Sequence, residues 1–115
     1  MRKDFGMKSW LFPMPVLIIG TYDEYGNPDA MNAAWGSMYD YNEITISLSN
    51  HTTCENIRKS KAFTISLGTK NTMTICDYVG IVSHKKEPNK VTKAGLHHYK
   101  SNNINAPMFN EYPIT

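Results

Sequence analysis

The chain has 115 residues, a length that suits one domain over 1–115. Hydrophobic residues make up 41% and charged residues 19%, which supports a packed core and argues against disorder. The net charge of +2 is too small to argue for nucleic acid or an anionic membrane surface, and the longest apolar run, Val16-Leu17-Ile18-Ile19, falls far short of the roughly 20 residues that span a bilayer.

No signal-type apolar segment follows the basic start Met1-Arg2-Lys3-Asp4. Cys54 and Cys76 form no CxxC motif, so reduced thiols in a cytoplasmic protein are expected. The prolines of Trp10-Leu11-Phe12-Pro13-Met14-Pro15 forbid helix and favour extended chain. Val16 to Tyr22 is apolar at both parities and reads as a strand covered on both faces. Asp23 to Pro28 is a turn, in which Gly26 and Asn27 tolerate positive φ and Asp23-Glu24 is read as solvated.

A second strand is predicted from about Asp29 to Met38. Its run Asn32-Ala33-Ala34-Trp35-Gly36-Ser37 is rich in poor strand formers. Small residues in a strand mark close approach, either by a ligand or by another packed element. After the turn Tyr39-Asp40-Tyr41-Asn42, the stretch Glu43 to Ser49 alternates, with Ile44, Ile46 and Leu48 on a core face and Thr45, Ser47 and Ser49 on the other.

A polar loop, Asn50-His51-Thr52-Thr53, then opens a helix. Thr52 and Glu55 have capping-box spacing, and Arg58, Lys59 and Lys61 suit the helix end. The free N–H groups of such a start would receive a phosphate, with the hydroxyls of Thr52 and Thr53 as further donors. An ordinary capped helix without a ligand fits the same residues. Ala62 to Leu67 repeats the alternation as a fourth strand. A second helix runs from Asn71 or Thr72 to about Val82, with Met73, Cys76, Val79 and Ile75 as its buried stripe. Ser83 to Lys93 reads as a loop, Ala94 to Tyr99 as a short strand and Asn102 to Pro113 as irregular chain. Four main strands and two short helices predict a mostly antiparallel β-barrel with helices at its rim.

The sequence contains no GxGxxG, no GxxxxGK[ST] and no GxSxG. His97 and His98 are adjacent and on a strand would point to opposite faces, so no metal site is expected. No side chains stand out for covalent or acid–base catalysis, which leaves a cofactor to carry any chemistry.

The order of these segments resembles the flavin reductase-like family of FMN-binding split barrels. The matching pieces are Pro13-Met14-Pro15-Val16, Gly20-Thr21, Gly26-Asn27-Pro28, Asn32 to Ser37, Ser49 to Ile57, Phe63 to Leu67, Asp77-Tyr78-Val79-Gly80, Lys90 to Leu96 and Ala106-Pro107. The resemblance implies a homodimer that holds FMN noncovalently near the subunit interface. NAD(P)H or a redox protein partner would supply its electrons. It implies that Asn32, Ala33, Ala34 and Trp35 line the isoalloxazine, with Ser37 close by. Ser49, His51, Thr52 and Thr53 would hold the phosphate, and Asn56 would support their loop. It further implies that the usual domain runs past Thr115, so that these residues are its N-terminal portion.

Overall fold

Leu17-Ile18-Ile19 offers water no polar side, and these three side chains are almost fully buried. They lie in β1 (Leu17–Tyr22), the middle strand of a three-stranded sheet in a computed structural model that describes residues 1–115. The remaining elements are β2 (Pro28–Ala33), β3 (Trp35–Asp40), β4 (Glu43–Ser47), α1 (Thr52–Ser60), β5 (Thr64–Leu67), α2 (Met73–Ile81), α3 (Lys90–Lys93), β6 (His98–Lys100) and β7 (Pro107–Phe109). β1 pairs antiparallel with β2, placing Leu17 opposite Ala33, and with β5, placing Gly20 opposite Thr64. The β1–β2 turn is held by Asp23, whose carboxylate accepts the N–H groups of Tyr25 and Asn27, while Gly26 takes φ +83°.

The two faces of β1 feed two cores, as strand alternation requires. Ile18 joins Ala30, Cys76, Val79, Val91, Leu96, Phe109 and Tyr112 under α2 and α3. Leu17 and Ile19 join Ala33, with Ile46, Leu48, Ile57 and Ile65 packed around them.

The segment from Asp29 to Met38 is two strands rather than one. The chain bends at Ala34, and β3 leaves the first sheet to pair with β4, Gly36 opposite Ile46 and Ser37 opposite Thr45. Small residues give that ladder little to hold it straight, and they let the β3–β4 hairpin close over β1. A Cβ at Gly36 would lie 2.5 Å from Leu17 Cδ1. Ile46 on β4 and Leu48 just after it meet the core, whereas Ile44, nearer the hairpin tip, is exposed.

β5 keeps the expected alternation, with Ile65 and Leu67 packed on the second core, but its other face is covered as well. Thr64 and Ser66 are its buried residues, and Ile65 and Leu67 are half-buried. Both hydroxyls are satisfied, by the Pro107 carbonyl and the Thr115 hydroxyl, because β7 and the chain after it cross that face. The contact is close enough that a Cβ at Gly20 would lie 2.5 Å from Thr64 Oγ1 and 2.8 Å from the Pro107 carbonyl oxygen. The second helix is entered through a 3-10 turn, Lys70–Thr72, capped reciprocally by Thr69 and Thr72. Cys76 and Val79 are buried as expected, but Met73, in its first turn, is exposed. The lysine-rich stretch read as a loop contains α3, and Lys90 within it is buried. β6 begins at His98, later than predicted, and pairs with β7, which lies in chain read as irregular. No helix is long and apolar enough to cross a membrane.

Candidate functional site

The start of α1 is open. His51 is the N-cap, in extended conformation, and no side chain caps the helix. The His51 carbonyl accepts the N–H groups of Cys54 and Glu55 at 3.0 and 3.2 Å, and the N–H groups of Thr52 and Thr53 meet no acceptor in the chain. The predicted capping box does not form, because Thr52 is the first helical residue and Glu55 turns to Lys85 Nζ at 3.4 Å. Local bonds occupy the residues that would otherwise cap. His51 Nε2 is hydrogen-bonded to the Ser49 hydroxyl at 3.1 Å, and the Cys54 thiol donates to the Ser49 carbonyl at 2.9 Å. Two oriented donors at the positive end of a helix dipole are a seat for an anion.

The seat opens into a cleft of about 360 Å³. One wall is β2, with Met31 and Asn32, and the other is the end of α2 with Ser83, His84 and Lys85. Gly80 comes close to Asn32 across it, and a Cβ there would lie 3.0 Å from Asn32 Cβ. The Asn32 side chain donates to the Cys76 carbonyl at 3.3 Å, which leaves its own carbonyl oxygen without a partner in the chain.

Beneath the cleft lies a buried charged cluster. Asp29, on β2, accepts the Thr53 hydroxyl on Oδ2 at 2.8 Å. Its Oδ1 is paired with Lys90 Nζ at 2.9 Å, a charge contact rather than an aligned hydrogen bond. Lys90 Nζ also donates to the carbonyls of Val82 and Val79 at 3.0 and 3.3 Å, tying α3 to the end of α2. His84 fills the remaining side, between Asp23 Oδ2 at 3.5 Å and Asp29 Oδ1 at 3.8 Å. Asp23 is therefore not simply solvated. Burial alone would raise its carboxyl, but hydrogen bonds from Asn27, Tyr25 and His84 outweigh that and hold it below the usual carboxylate range.

The residues expected to form the site are thus distributed. Asn32, His51, Thr52 and Thr53 line one cleft, with Ser49 bonded behind His51. Trp35 and Ser37 line a neighbouring depression shared with Leu11 and Met14 of the leading segment, and Ala34, at the bend between, is exposed. Ala33 points into the core beside Leu17 and Ile19. Asn56 is buried and donates to Thr21 Oγ1 at 3.1 Å, bracing α1 on β1. Asp29, His84 and Lys90 went unrecognised in the sequence. The one available signal was Asp29 itself, an acidic residue within a strand that has to bury, which demands a cation from elsewhere in the chain.

The sheet, the hairpin folded over it and the open helix start define a split-barrel flavin-reductase-like fold. The sequence profile of the "Flavin reductase like domain" matches residues 7–115, and the chain belongs to the flavin reductase-like family. Flavoredoxin of Desulfovibrio vulgaris (Miyazaki F) superposes with a TM-score of 0.90 at 32% identity, over 96% of this chain and 62% of that one. The chain therefore spans less than two thirds of that protein's length. An FMN-binding domain of a flavin reductases-like enzyme from Shewanella baltica superposes at 0.78 with 23% identity, over 85% of this chain and 52% of that one. Nitrilotriacetate monooxygenase component B from Bacillus cereus does so at 0.76 with 16% identity, over 90% and 54%. No curated protein sequence matches the chain.

Proposed function

We propose that this chain binds FMN noncovalently and acts as a flavin reductase-like oxidoreductase, passing electrons from NADH or NADPH to an acceptor. The observation that carries the proposal is the pair of unpartnered N–H groups of Thr52 and Thr53, set at one end of a cleft beside Asn32. These donors and the helix dipole suit a phosphate. The free carbonyl oxygen of Asn32 suits a ring N–H, and Trp35 and Ser37 line the separate depression beyond the bend at Ala34. The residues present therefore fit the cofactor, with Ser49 and His51 flanking its phosphate and Asn56 supporting the helix. Ala33 and Ala34 contribute backbone and close approach rather than side-chain contacts.

FMN, when bound, supplies the electron-accepting ring that no side chain of this protein replaces. The protein's share is orientation and charge. Apolar residues of the leading segment and the hairpin, Trp10, Leu11 and Trp35, are exposed on one region around the Trp35 depression. That supports a homodimer with the cofactor near its interface. The 32% identity to flavoredoxin favours a second reading, an FMN-binding electron carrier reduced by a protein partner in the cytoplasm. Steady-state oxidation of NADH or NADPH with added FMN separates the two. Turnover supports the reductase. FMN binding without turnover supports the carrier. Replacing Asn32 or Trp35 by Ala is expected to weaken FMN binding, and unchanged affinity in both variants would count against the site.

A further inference from the structure

The cluster beneath the phosphate seat holds a feature that anion binding alone does not explain. His84 is 8% exposed, and its Nδ1 has no hydrogen-bond partner. Its two ring nitrogens face two carboxylates, Asp23 and Asp29. A neutral imidazole carries one N–H, so whichever tautomer forms, a lone pair points at one of those carboxylates. Only the imidazolium offers a donor to both.

The other charges around the ring are few. Lys90, from α3, pairs with Asp29 and is 3% exposed. Lys85, next in the chain, is matched by Glu55 of α1. His51 stands at the seat with its ring bonded to Ser49. With a neutral imidazole, Asp23 and Asp29 against Lys90 leave the cluster at minus one. One added proton brings it to zero. The Thr53 hydroxyl rests on Asp29, so this charge lies directly beneath the donors that face a phosphate. Burial makes such a charge felt more strongly than it would be in water. A dianion above a cluster at minus one is repelled, and above a neutral cluster it is not.

We propose that occupation of the phosphate seat is coupled to proton uptake at His84, which makes His84 a positioning residue for phosphorylated ligands. The proposal rests on the FMN reading of the cleft. It predicts that FMN binding takes up a proton and riboflavin binding does not.

The test is calorimetric titration of the flavin-free protein with FMN and with riboflavin, in two buffers of different ionisation heat. At about pH 7.5 the phosphate is already fully ionised and contributes little. Wild type is expected to take up about 0.3 to 1 proton per FMN, and His84→Gln close to none. Riboflavin should take up none. A measurement on wild type alone covers the case in which His84→Gln does not fold. The ratio of FMN to riboflavin affinity should fall about three- to tenfold between roughly pH 7 and 8.5. A pH-independent ratio with no proton uptake on FMN binding overturns the coupling and leaves the FMN site standing. Uptake that persists in His84→Gln overturns the assignment to His84. Failure of both flavins to bind overturns the FMN reading, and the coupling with it.

Discussion

Asp29 is fully buried, so its charge survives only through its partners. Lys90→Met removes the cation and leaves the carboxylate buried, and we expect a loss of about 3–5 kcal/mol in urea unfolding. The double variant Asp29→Asn/Lys90→Met should recover most of that loss, since removing both charges removes the desolvation they share. If the double variant is as unstable as the single one, the pair is not the source of the cost. Thr53→Val tests the seat from the other side. It deletes the hydroxyl that Asp29 accepts and should cost about 1–2 kcal/mol. The importance of Thr53 was legible in the sequence, but its side chain works downward on Asp29, and only its N–H faces the cleft. Asp29, His84 and Lys90 were illegible because they come from β2, the stretch after α2 and α3. Nothing local marks three such residues as neighbours.

Elements whose pattern admits one reading were recovered well. β1 is apolar at both parities and is buried on both faces, and the Gly26 turn falls where the sequence put it. Where two layers meet, alternation misled. Thr64 and Ser66 read as the outward face of β5, yet they are buried, because β7 and the chain after it bring the Pro107 carbonyl and the Thr115 hydroxyl to them. The helix start was displaced by one residue for a similar reason. Thr is the better N-cap by preference, but the extended conformation falls on His51, whose ring is occupied by Ser49. The β1–β5–β7 junction gives a sharp prediction. Gly20→Ala would press a Cβ against Thr64 Oγ1 and the Pro107 carbonyl, and we expect a loss of about 1–3 kcal/mol by thermal or urea unfolding. A neutral effect would show that β7 moves aside freely.

Across the molecule, stability and function meet on the same charges. Hydrogen bonds from Asn27, Tyr25 and His84 hold the Asp23 carboxyl down against the opposing effect of burial. A carboxyl lowered in the folded state stabilises the fold above its unfolded value, and that contribution disappears as pH falls through the folded one. Stability should therefore hold near neutrality and decline below about pH 4, with a shallower decline in Asp23→Asn. Circular dichroism across that range reads both, and identical slopes would remove Asp23 from the account.

The claim on which the rest depends is that the open start of α1 and its cleft hold FMN. The most direct measurement is the visible absorption spectrum of the protein after FMN is added and unbound flavin is removed by gel filtration. The flavin bands are expected to stay with the protein at about one per chain, and riboflavin, which lacks the phosphate, to be retained less. Protein that elutes colourless after FMN addition would contradict it.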